Sequence, residues 1–192
     1  MNPKVIFGLF IAVATVQLAV PVSQIWQHEE ILRTGRAYKF RTAPVDPYDA
    51  FRGRYVALGF DGTAAPVRAG DLLKYRQSAY ARITEGADGF ARFPELSVAP
   101  PADGDYVRVE CIWGSPTNMN FRLPFDKFFM EESAAPRAEQ AYWQLGNRRG
   151  QTNTTTYAVV RIKGGRGVIE DLYLNGQPVR QYLAEHPEKK RN

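Results

Sequence analysis

Gly104-Asp105-Tyr106-Val107-Arg108-Val109-Glu110-Cys111-Ile112-Trp113 is the stretch that sets the fold class of this 192-residue chain. Apolar and charged residues alternate along it with the period of two that a half-buried strand requires. Val107, Val109, Cys111 and Trp113 share the face expected to meet a core, and Arg108 and Glu110 share the other. Cys111 therefore reads as a small buried residue, not a reactive thiol. Being the single cysteine, it has no intramolecular disulfide partner, so the redox compartment stays unread.

Outward from this strand the chain is rich in β patterns. Pro100-Pro101-Ala102-Asp103-Gly104 is the best boundary between a first β-rich half, 29–99, and a second, 100–192. In the first half, Ala37–Thr42 alternates, Gly53–Phe60 alternates, and Tyr75–Thr84 reads as a strand closed by Glu85–Gly89 and a short strand around Phe90–Phe93. Val56, Leu58 and Phe60 fall on one face; the small Ala57 and Gly59 on the other mark a close approach. Gly53–Phe60 and Gly104–Cys111 share the form Gly-x-Tyr-Val-x-aliphatic. Either a duplicated β unit or a common glycine-turn opening gives that likeness.

In the second half, Phe121–Met130 is dense in aromatics. It reads either as core, where phenylalanine is usually found, or as a contact surface. Pro136 sits where a helix begins, and Ala138, Ala141, Tyr142 and Leu145 keep the spacing of one buried face. Arg148, Arg149 and Gly150 suit its end, giving a helix near 136–149. Tyr157–Ile162 and Val168–Leu174 form a hairpin through Gly164-Gly165-Arg166-Gly167, and Asn175-Gly176 is a further tight turn. The expected class is α+β: mostly antiparallel strands with one clear soluble helix, preceded by an N-terminal transmembrane helix.

That N-terminal helix lies in residues 1–28. No formal charge occurs from Val5 to His28, and Val5–Val22 is almost wholly apolar. The run matches the ~17–25 residues a membrane span needs and exceeds the ~7–15 of a cleaved signal. Trp26 suits the interfacial belt, while Pro21 would break the helix and leave a cleavage site after Ser23 conceivable. A retained signal-anchor is favoured. Arg33, Arg36, Lys39 and Arg41 follow the span, which on a strict count places the domain in the cytoplasm. A short N-terminal tail bearing Lys4 fits a signal-anchor layout, and large domains translocate regardless of charge. The expectation is a single-pass inner-membrane protein with a periplasmic C-terminal domain.

Chemistry is sparse. The two histidines, His28 and His186, have no ligand partner at a metal-site spacing, and no histidine within the domain serves a Ser/His/Asp triad. Asp126, Glu131 and Glu132 read as exposed charges near a helix start. No phosphate-cradling glycine loop joins a strand to a helix, so no cofactor is expected. The net charge of +5 comes without a basic, aromatic-interleaved stripe, which argues against nucleic acid. Part of that charge is Lys189-Lys190-Arg191, a solvated terminus or a contact for anionic head groups. The remaining candidate is a turn and strand edge carrying Asp46, Tyr48, Asp49, Arg52, Arg54 and Tyr55. Turn-borne residues of this kind bind partners; they equally cap turns and pair among themselves.

Pro44–Phe60 resembles the signature of the GDYXXLXY family, bacterial membrane-anchored proteins. Gly53, Tyr55 and Leu58 match it, whereas Arg54 stands for its acid and Phe60 for its final tyrosine. Leu123–Glu132 and Gly167–Gly176 are similar to later blocks of that family. The resemblance implies an N-terminal membrane segment and a β-rich exterior domain, and no catalytic residue. The expected role is a membrane-anchored binding or accessory module that meets another membrane or envelope protein. The alternative is an envelope enzyme with an unfamiliar site around Asp46–Arg52.

Overall fold

The computed structural model describes residues 3–43, 55–147 and 155–186. It opens with α1 (Pro3–Thr34), a helix whose most apolar window has a mean hydropathy of 2.4 and no residue buried. That helix is long and apolar enough to cross a membrane. Pro21 does not break it. The lost amide bond is one of many in a 32-residue helix, which tolerates a single internal proline. Gly35 ends α1, donating its N–H to the Ile31 carbonyl at 2.8 Å. A Cβ there would lie 2.5 Å from that same oxygen, so a side chain is excluded.

Next come β1 (Arg36–Ala43), β2 (Tyr55–Ala57), β3 (Gly59–Phe60), β4 (Ala64–Pro66), β5 (Ser78–Glu85), β6 (Ala91–Arg92) and β7 (Leu96–Ser97). They are followed by β8 (Asp105–Ser115), β9 (Asn118–Arg122), β10 (Lys127–Phe129) and α2 (Ala135–Asn147). The chain continues with β11 (Thr156–Lys163), β12 (Arg166–Leu174), β13 (Gln177–Pro178) and α3 (Val179–Glu185). The class is α+β with mostly antiparallel strands and a sheet curled into a half-barrel.

One sheet has the order β13-β12-β11-β1-β3. A six-stranded sheet has β4-β9-β8-β5-β6 with β7 on β5, and β10 pairs with β2 alone. β5, before residue 100, pairs with β8, after it, from Ser78↔Glu110 to Ile83↔Asp105. Alternation is well kept where strands are long. Tyr38, Phe40 and Thr42 of β1, Ala79, Ala81 and Ile83 of β5, and Thr156, Ala158, Val160 and Ile162 of β11 all point inward.

The two large sheets meet through phenylalanine rings. Phe40 lies 5.5 Å from Phe125, 5.9 Å from Phe60 and 6.0 Å from Phe93, and Phe93 lies 5.0 Å from Phe121. All but Phe40–Phe93 are edge-to-face, and such pairs add to the area they bury. The aromatic run is therefore mostly core: Phe121, Leu123, Phe125 and Phe128 are buried.

The structure departs from the sequence reading at four places. Gly53–Phe60 is not one strand where described: Leu58 turns its N–H to the Asp126 carbonyl at 2.8 Å, so β2 joins β10 while β3 joins β1. Trp113 does not share the core face of Val107, Val109 and Cys111 but is 69 % exposed. A register shift between Cys111 and Gly114 inserts one extra residue against β9, and a bulge re-aims the side chains beyond it. The strand expected from Tyr75 starts at Ser78, because Arg76 takes a positive φ of 61°. A second short soluble helix, α3, follows the Asn175-Gly176 turn, whose φ values are 52° and 81°.

Candidate functional site

Of the predicted binding residues, Asp46, Tyr48, Asp49, Arg52 and Arg54 lie outside the described residues, as do Arg148, Arg149 and Gly150. Tyr55 opens β2 directly opposite Phe129 of β10. Their ring centroids are 5.7 Å apart, and the Lys127 ammonium sits 5.1 Å from the Tyr55 centroid. Lys127 and Phe129 share one face of β10 because they are two residues apart, and Phe128 between them points into the core. Phe129 is 67 % exposed. The surface part of the aromatic run thus reduces to Phe129 and its flank.

Beside this pair runs a groove of about 610 Å³ between β10 and β12, walled by Lys127, Phe129, Asp171 and Arg180. Asp171 has its carboxyl pushed up from the ordinary aspartate range, chiefly by burial. The Leu172 N–H on its Oδ1 at 2.8 Å and the charge of Arg180 act in the other direction.

A second, larger cleft of about 1100 Å³ adjoins the groove; His28, Pro124, Gly167 and Val168 line both. One wall is the last three turns of α1, the other the β11–β12 hairpin tip with Tyr80, Tyr106 and Arg108. Polar contacts hold the helix there. Lys163 Nζ donates to Glu30 Oε1 at 2.7 Å and to Thr34 Oγ1 at 2.9 Å, and Arg166 donates to Gln27. Ile31 is the buried residue of α1. The hairpin tip is locked in turn: Arg108 N–H donates to the Gly165 carbonyl at 2.9 Å. A Cβ on Gly165, with φ of 78°, would come within 2.7 Å of the Tyr106 ring.

Elsewhere the ionisable groups are occupied with one another. Tyr38 donates to Asp105 Oδ2 at 2.8 Å, and burial together with that carboxylate pushes the phenol up to about 12. Arg68 binds both oxygens of Glu95 at 3.0 Å, and its guanidinium holds the Glu95 carboxyl low. Burial pushes the Cys111 thiol up, away from the reactive thiolate. Among the described residues, no three His, Cys, Asp or Glu side chains stand close enough to hold a metal ion.

The family signature gains a physical meaning here. Tyr55 packs on Phe129, Leu58 is buried, and Phe60 lies between Phe40 and Phe125, with the latter ring at 5.6 Å. Residues 17–172 match the GDYXXLXY protein family. The chain belongs to that family. No curated protein and no solved structure matches it. In this GDYXXLXY protein the described signature residues link the β2–β10 pair, through Tyr55, to the five-stranded sheet, through Phe60. Phe60 is half-buried, its ring edge-to-face with both Phe40 and Phe125. Sequence reasoning missed the cleft beside α1, because Gly164–Gly167 gave only a hairpin turn and nothing local ties that turn to α1.

Proposed function

We propose that this protein is a single-pass inner-membrane component whose β-rich domain stands on the periplasmic side and serves as a binding or accessory module for another membrane or envelope protein. The segment Asp46–Tyr55, with Phe129 beside it, forms the contact surface. The observation that supports this reading most is the exposed Phe129 packed against Tyr55, with Lys127 alongside and a groove next to it. An exposed aromatic flanked by a cation is the kind of anchor that interfaces concentrate.

A photo-crosslinking residue placed at Phe129 of the full-length protein, at native expression, tests the reading. The expected result is one stoichiometric adduct with a membrane or envelope protein, lost when Asp49→Ala and Arg52→Ala are added. The absence of any adduct, or adducts spread over many abundant proteins, overturns it. The side of the membrane is read independently from Thr117→Cys on the exposed β8–β9 turn, labelled by an impermeant maleimide in cells with a permeable outer layer. Cys111, fully buried, remains silent. Labelling only after lysis places the domain in the cytoplasm.

A further inference from the structure

The cleft between α1 and the hairpin tip has a composition that the partner reading does not use. Its two arginines, Arg108 and Arg166, bond to neutral groups: Arg108 Nη2 to Ser78 Oγ at 3.2 Å, and Arg166 to Gln27. Among the described residues neither pairs with a carboxylate, whereas Arg41, Arg68, Arg82, Arg92 and Arg161 all do. Glu29 is the single acid in the lining. The site is therefore a concave surface with unneutralised guanidinium charge. Guanidinium groups of this kind match phosphate oxygens.

Its place along α1 says where such a phosphate comes from. Val5–Val22 is 18 residues, about 27 Å of helix, close to the ~30 Å of a bilayer core. The cleft runs from Pro21 to Leu32, so it starts at the upper end of that apolar run, about 7 Å below Trp26, and rises past the level of Trp26. The lower part of the α1 wall carries the apolar Pro21 and Ile25 with Gln24 between them, and the arginines stand on the opposite wall. Hydrocarbon below and cationic donors above is the polarity of a phospholipid at the interface.

We propose that this cleft binds one anionic phospholipid, its phosphate engaged by Arg108 and Arg166 and its acyl chains lying along Ile25 and Pro21 into the bilayer. The bound lipid fills the space between α1 and the hairpin and fixes the tilt of the domain over the membrane. The proposal rests on the membrane-spanning reading of α1 but not on the partner surface at Phe129, and each of the two sites can fail while the other holds.

The test uses the full chain in nanodiscs of phosphatidylcholine, titrated with phosphatidylglycerol of the same acyl chains and read by Trp26 quenching from headgroup-labelled lipid. Phosphatidylglycerol is expected to be preferred about tenfold, a difference of about 1.4 kcal/mol. Arg108→Gln with Arg166→Gln removes the preference, whereas the control Lys74→Gln with Arg122→Gln, which loses the same charge elsewhere, keeps it. Arg108→Gln alone, whose side chain gives up only a serine hydroxyl, reads the same loss if the double variant does not fold. Equal retention of the two lipids overturns the proposal. So does a preference that survives both arginine substitutions, which assigns the attraction to the general basic charge. Binding of glycerol 3-phosphate as tight as that of the lipid, with displacement of it, also overturns the proposal and makes the cleft a soluble phosphate-ester site.

Discussion

Where β2 and β3 enter the domain, the contact is made of buried Val56 and Leu58 and of Phe60 against the rings of Phe40 and Phe125. Where α1 meets the same domain, the contact is Ile31 and a set of polar clasps, Lys163 to Glu30 and Arg166 to Gln27, on half-exposed side chains. The first joint removes apolar surface from water and is as rigid as the core it belongs to. The second trades protein hydrogen bonds for water ones, so each clasp adds little and the helix can be re-seated without unfolding the sheets. Fold stability lives in one joint and adjustability of the seat of α1 in the other.

The largest expected effect tests the first joint. Phe125→Ala removes the ring that touches both Phe40 and Phe60. It should cost about 3–5 kcal/mol, measured by urea unfolding of the full chain in detergent. A loss below about 1 kcal/mol would mean that the phenylalanine cluster is not what holds the sheets together. Gly165→Ala comes next, because it strains a positive φ and drives a methyl into Tyr106. It should cost about 1–3 kcal/mol and loosen the hairpin tip, seen as faster amide exchange at Arg108.

A smaller effect is expected at the clasp. A double-mutant cycle of Glu30→Ala and Lys163→Ala should return a coupling below about 1 kcal/mol, falling further with salt. A coupling as large as the Phe125 effect would erase the distinction between the joints. The smallest effect is Asp171→Asn. Burial raises the folded-state pKa of Asp171 above its unfolded value, so its contribution to stability is fully present at acid pH and is lost as pH rises through the folded pKa. Asp171→Asn should therefore be more stable than the parent by a fraction of a kcal/mol at pH 7, with the gap closing toward pH 3. A gap that instead widens in acid would show that Arg180 and the Leu172 N–H, not burial, set the state of this carboxyl.

Much of the architecture was legible because it is local. The alternation at Ala37–Thr42, Tyr157–Ile162 and Val168–Leu174 gave strands, Ala138–Leu145 gave a helix face, and Asn175-Gly176 gave a turn, all of which the structure contains. Of the six predicted site residues only Tyr55 falls among the described ones, where it lies opposite Phe129; the other five fall outside them. Phe129 was hidden inside a run whose other phenylalanines face inward, and only the pairing of β10 with β2 turns it to the surface.

By itself the sequence determined a β-rich domain with one helix able to span a membrane, because a period of two and an uninterrupted apolar run act residue by residue. Tertiary structure alone decided three further points. Trp113 faces solvent because one extra residue in β8 shifts its register against β9. Asp171 loses water because β10 and α3 close around β12. Arg108 and Arg166 reach one cleft because the tip of a distant hairpin docks on both β8 and α1. Each depends on contacts between segments far apart in the chain, which no local pattern encodes.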